Sequence, residues 1–133
     1  MASLTHVNPT SMFTSPAFSQ GVLVESPARL LVVGGQNGVD AGGRMVGDDT
    51  ASQTMQAMRN LLTVLREVGA GPEDVAKLTV YLVAGQDAKA GFAASRQVWG
   101  DHPTAVTVVY VAVLARPDAL VEVEALAVLS RDR

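Results

Sequence analysis

The chain contains no cysteine, one tryptophan, two histidines and no cluster of basic residues. Without cysteine there is no disulfide framework, no thiolate nucleophile and no zinc site built on sulfur. The histidines, His6 and His102, have no HxxxH-type spacing, so no metal site is expected. Ten Lys and Arg are scattered through 133 residues of net charge −3, which argues against nucleic-acid binding. The longest apolar runs are about ten residues, short of the roughly 20 that a membrane helix requires. The first residues, MASLTHVNPTSMF, lack the basic and apolar regions of a secretory leader. These absences predict a soluble cytoplasmic protein that touches neither membrane nor nucleic acid.

What is present is apolar and small. Hydrophobic residues make up 48% of the chain but aromatics only 5%, so the apolar mass is mainly Val, Leu and Ala. Such a composition suits a sheet covered on both faces, or a subunit that buries surface in an oligomer. The length suits one domain, residues 1–133, with residues 1–20 as an extended arm of little regular structure. Residues 21–26 and 29–35 read as two strands of a hairpin around Ser26-Pro27-Ala28. A helix follows, with Thr50 and Gln53 at capping-box spacing, a stripe of Met55, Met58, Leu61, Leu62, Leu65 and Val68, and a stop at Gly69. A short helical turn at 74–76 precedes a strand over 78–83. A weaker helix covers 87–99, with Phe92, Ser95 and Trp99 on one side. Two apolar strands joined by a proline turn complete an α+β two-layer sandwich, a mixed sheet with two helices on one face.

Chemistry concentrates in the last strand. Side chains alternate there, so Val121, Val123, Ala125, Ala127 and Leu129 share an apolar face that should meet the helices. Glu122 and Glu124 point the other way, roughly 6.5–7 Å apart at about 3.3 Å rise per residue. Partly buried, one of them could serve as a proton donor; the plainer role is a charged pair at an edge or subunit contact. The run Gly34-Gly35-Gln36-Asn37-Gly38 lacks the spacing of a phosphate loop, and glycine at a strand end signals a bulge or a close backbone approach.

Four segments in order, SPAFSQGV (15–22), LVVGGQNGVD (31–40), the helix and strand over 49–82, and LARPDALVEVEALAV (114–128), resemble the Rid family, also called YjgF/UK114. The resemblance implies a chorismate-mutase-like fold and a homotrimer with small-molecule clefts between subunits. It also implies hydrolysis of enamines or imines to a carbonyl compound and ammonia without cofactor or metal. The family's glutamate falls on Glu122, which would position water or donate a proton. The glycine whose backbone approaches the ligand falls on Gly35, and the N-terminal aromatic, commonly Tyr, on Phe18. The family's substrate-binding arginine falls on Val106 when counted back from Leu114 without gaps, or on Ala105 or Thr107 with a one-residue shift, and Thr107 and Val108 lie beside it in the ligand cleft. Valine cannot replace an arginine fork on a carboxylate. Standard 2-imino acid deamination is therefore in question, and Val106→Arg should raise it. A non-catalytic trimer that binds a metabolite or regulates a partner is the alternative.

Overall fold

The computed structural model of the chain describes residues 3–25 and 28–130. Among these, the strands are β1 (Ser3–Val7), β2 (Gly21–Glu25), β3 (Ala28–Gln36), β4 (Val75–Val83), β5 (Ala105–Val111) and β6 (Val121–Ser130). Helix α1 (Thr50–Glu67) lies between β3 and β4, and helix α2 (Ala88–Trp99) between β4 and β5. A 3-10 turn, Pro72–Asp74, leads into β4. The main sheet has the spatial order β3-β6-β4-β5. β6 runs antiparallel to β3 and β4, whereas β4 and β5 are parallel. Parallel strands cannot be joined by a tight turn and need a crossover, which α2 supplies for β4 and β5. The result is the α+β arrangement expected, two helices against a mixed sheet.

Helix α1 follows its apolar stripe. Met58, Leu61, Leu62 and Leu65 are buried against β6, where Val121, Val123, Ala125, Ala127 and Leu129 are between 0% and 4% exposed. Each buried Leu or Met contributes about 1.5–3 kcal/mol over leaving it in water. The helix ends as expected at Gly69, which has φ 76°; its N–H donates to the Arg66 carbonyl, and that of Ala70 to Leu65. Its start differs from the expectation. Asp49 is the cap, accepting from the Ser52 backbone N–H at 2.8 Å, and Thr50 is already helical. A carboxylate serves better there because it also meets the positive end of the helix. That hydrogen bond holds the Asp49 carboxyl below its ordinary pKa. Gln53 is instead fully buried; its amide bonds the carbonyls of Gly47 and Asp118 and accepts from Leu120 N–H, tying two loops to α1.

Helix α2 is less intimate with the sheet. It packs on α1 through Gly91, where an added Cβ would lie 3.4 Å from Thr50. Of the expected side Phe92, Ser95 and Trp99, only Trp99 is buried, and Phe92 is 47% exposed. Between α2 and strands β4 and β5 lies a cavity of about 450 Å³.

Residues 3–25 depart most from expectation. β2 pairs antiparallel with β1, in register Ser3↔Glu25 to Val7↔Gly21, and not with β3. β3 takes β6 as its partner, matching Leu31 to Ala127 and Val33 to Ala125. Ser26 and Pro27 of the expected turn lie outside the described residues. Alternation identifies a strand locally, but the partner is chosen by non-local packing. The arm is correspondingly structured: Ser19 N–H donates to the Thr104 carbonyl at 2.9 Å, anchoring it beside β5.

Candidate functional site

The sheet face away from the helices gathers the polar side chains. Register places Tyr81 of β4 opposite Glu122, Thr79 opposite Glu124 and Lys77 opposite Leu126. On the other side Thr79 faces Thr107 of β5. Leu30 and Val32 of β3 share this face, at 64% and 65% exposed.

Glu122 is held from two directions. A bulge in β3 between Val33 and Gln36 leaves Gly34 and Gly35 unpaired in the ladder. The carboxylate lies against Gly35 so closely that an added Cβ would be 2.2 Å from Oε2. Any side chain at position 35 would displace it. From the loop beyond, Asn37 Nδ2 donates to Glu122 Oε1 at 3.0 Å. That loop is fixed on α1: Asn60 Nδ2 donates to the carbonyls of Asn37 (3.0 Å) and Val39 (2.9 Å), and Gln56 donates to Asn60 Oδ1. Gly38 presses onto the helix backbone, where a Cβ would sit 2.7 Å from Gln53 Cα. The helix thus sets the loop, the loop sets Asn37, and Asn37 orients the carboxylate.

Glu124 accepts from Tyr81 Oη at 2.6 Å. This bond, with smaller contributions from burial and from the charges of Glu124 and Glu122, raises the phenol above its usual pKa. Lys77 Nζ reaches across to Thr107 Oγ1 at 2.6 Å, which puts a cation on the same face as the carboxylates. Beside it is a depression of about 200 Å³ bordered by Val32, Lys77, Thr79, Glu124 and Leu126.

The structure therefore separates the residues singled out from sequence. Glu122, Gly35 and Thr107 share the open face. Val106 and Val108 alternate with Thr107, face the helices, and line the 450 Å³ cavity together with Phe18. Within one chain Val106 thus lies across the sheet from Glu122, while Thr107 is on the Glu122 face. Counting from Leu114 could not decide this, because a one-residue slip moves a strand side chain through the sheet. Arg116 is engaged by Asp118 at 2.7 Å, and Arg96 sits on α2 near Asp101. Sequence reasoning missed Asn37, Lys77 and Tyr81. Asn37 sits in the glycine-rich run already suspected of ligand contact. Lys77 and Tyr81 alternate along β4, but their value depends on β6 lying next to β4. His6, remote in sequence from His102, is brought to the carbonyl of Pro103 at 3.0 Å and to Ser19 Oγ at 2.6 Å.

Comparison with known proteins fits this architecture. The family model described as Endoribonuclease L-PSP matches residues 10–129. A RutC family protein of Pyrococcus abyssi is 34% identical over 115 residues, 83% of this chain and 84% of the relative. The crystal structure of the Rid family protein YyfB from Yersinia pestis matches with a TM-score of 0.84 at 36% identity, covering 95% of this chain and 98% of that one. A Mycobacterium tuberculosis member of the YjgF/UK114 family matches with a TM-score of 0.65 at 31% identity, covering 94% and 98%. The chain belongs to the Rid (YjgF/UK114) family.

Proposed function

We propose that the protein hydrolyses an enamine or imine to the carbonyl compound and ammonia on the open face of its sheet. The observation that supports this reading is the Glu122 carboxylate, held by Asn37 against the bare backbone of Gly35. Water adds to the C=N carbon as the nitrogen gains a proton, and the carbinolamine then expels ammonia to leave C=O. The step needs no oxidant or reductant. Glu122 takes the proton of the attacking water and returns it to the departing nitrogen, a task for a positioned carboxylate. Lys77 beside Thr107 is the cation that a substrate carboxylate would meet. A single ammonium holds a carboxylate less firmly than an arginine fork, so neutral imines are favoured over 2-imino acids. Exposed Leu30, Val32, Val109 and Leu126 around the polar groups suit packing against further copies, as in a homotrimer with the ligand at the subunit interface. The endoribonuclease named in the family model gains no support from a net charge of −3 with scattered cations.

The test is hydrolysis of 2-iminobutyrate, generated by a dehydratase, alongside a neutral imine, with semicarbazone formation as the readout. Glu122→Gln should lower kcat/KM by roughly 10²–10⁴-fold without changing the circular dichroism spectrum. If the wild-type protein accelerates neither substrate, the hydrolase reading fails. The absence, among the described residues, of an arginine opposite Glu122 in the sheet would then favour a ligand-binding or regulatory trimer.

A further inference from the structure

The chain has three asparagines, and Asn37 alone is followed by glycine. An Asn-Gly step is prone to deamidation, because glycine has no Cβ to hinder attack by its own backbone nitrogen on the asparagine side chain. Asn8 precedes Pro9, which has no N–H. Asn60 lies inside α1, where the next backbone nitrogen belongs to the helix ladder. Only Asn37 meets the requirements. The Gly38 N–H donates no hydrogen bond among the described residues. The half-buried Asn37 carboxamide ends at Glu122, which accepts from it at 3.0 Å. The restraint is a clamp from α1: Asn60 Nδ2 holds the carbonyls on either side of Gly38, those of Asn37 and Val39.

We propose that Asn37 is a site of spontaneous deamidation, which replaces the amide holding Glu122 by a carboxylate. The Gly38 nitrogen bonds to Asn37 Cγ and the Cγ–Nδ2 bond breaks; the amide proton of Gly38 leaves with Nδ2 as ammonia. Water then opens the succinimide at Cγ, giving Asp, or at the main-chain carbonyl carbon, giving isoaspartate. A proton of that water returns to the Gly38 nitrogen. The sum is amide plus water to carboxylic acid plus ammonia, with no oxidant, reductant or second protein. Asp at this position puts an anion where Glu122 Oε1 now meets a donor. Two carboxylates that close do not both stay ionised without cost, so Glu122 loses its fixed place against Gly35. Isoaspartate also lengthens the main chain by one carbon, in a loop where Gly38 already packs tightly on Gln53. The site thus carries its own chemical clock, slowed by Asn60.

The tryptic peptide of residues 30–44 holds Asn37 and no other asparagine. Mass spectrometry of the aged full chain therefore reads the site without any substrate, whether or not the protein is a hydrolase. At neutral pH and physiological temperature the folded protein should gain the mass of an amide-to-acid change in that peptide alone. Asn60→Ala should convert about tenfold faster, the worth of two hydrogen bonds to the loop. If that variant folds poorly, Gln56→Ala, which removes only the bond that orients Asn60, should convert about fivefold faster. Asn37→Gln should not convert over the same period. The product variant Asn37→Asp should melt below the wild type at neutral pH, and Glu122→Gln in the same chain should close the gap. The proposal is overturned if peptide 30–44 of the folded protein is unchanged after the urea-unfolded chain has converted. Equal rates with and without the Asn60 clamp, or equal melting of wild type and Asn37→Asp, would overturn it as well.

Discussion

Beneath α1, the residues of β6 from Val121 to Leu129 that face the helix are at most 4% exposed; across the same sheet, Leu30 and Val32 of β3 stand at 64% and 65%. The first face is complete within one chain, its apolar side chains matched to those of the helix. The second carries Lys77, Tyr81, Glu122 and Glu124 among exposed apolar groups, a mixture that suits a site shared with another surface. The contrast teaches that one alternating strand can serve two purposes: its odd-numbered positions make the core, and its even-numbered ones carry chemistry.

That contrast can be broken most severely by placing the same charge on each side. Ala127→Asp puts a carboxylate under α1 at a fully buried position and should cost roughly 3–5 kcal/mol or unfold the chain. Leu126→Asp, one residue away and 39% exposed, should keep the thermal transition of the fold while dissociating the proposed assembly in sedimentation. Equal losses of folding stability would erase the distinction between the faces.

A second pair tests which side receives the substrate. Thr107→Arg should raise 2-imino acid hydrolysis by about 10- to 100-fold, as charge-assisted hydrogen bonds to a carboxylate would. Val106→Arg should give no gain, since it points toward the α2 cavity. A gain at position 106 alone would reverse the assignment of faces.

The smallest effect concerns Tyr81. Its folded pKa is raised, chiefly by the bond to Glu124, so the stability it contributes is complete below pH 10 and is lost as pH rises through the folded value. In a Tyr110→Phe background the remaining phenol, followed at 295 nm, should ionise above pH 10. Adding Glu124→Gln should return it toward the ordinary value. An ordinary titration with Glu124 present would mean that the Tyr81–Glu124 bond does not form in solution.

Much of this was legible in advance. The spacing of Met58, Leu61, Leu62 and Leu65 determined α1 and its buried face, and the alternation of β6 determined which residues meet it, because both depend on local geometry. Glu122 was visible for the same reason: a carboxylate in an apolar strand, opposite in phase to the core. The partners of each strand were not visible. β2 joins β1, and β6 inserts between β3 and β4, choices settled by contacts far apart in sequence. With them came Asn37 beside Glu122, Tyr81 beside Glu124 and Lys77 beside Thr107. The side of the sheet taken by Val106 was hidden for the same reason, since register across a loop decides which way a strand residue points.

The sequence by itself determined the elements, the apolar face of β6 and the presence of a lone pair of glutamates, because periodicity is written into the order of residues. Tertiary structure decided which groups meet those glutamates and that α2 packs on α1 more than on the sheet. Both outcomes depend on how separate elements come to rest against one another, and no local pattern encodes that distance.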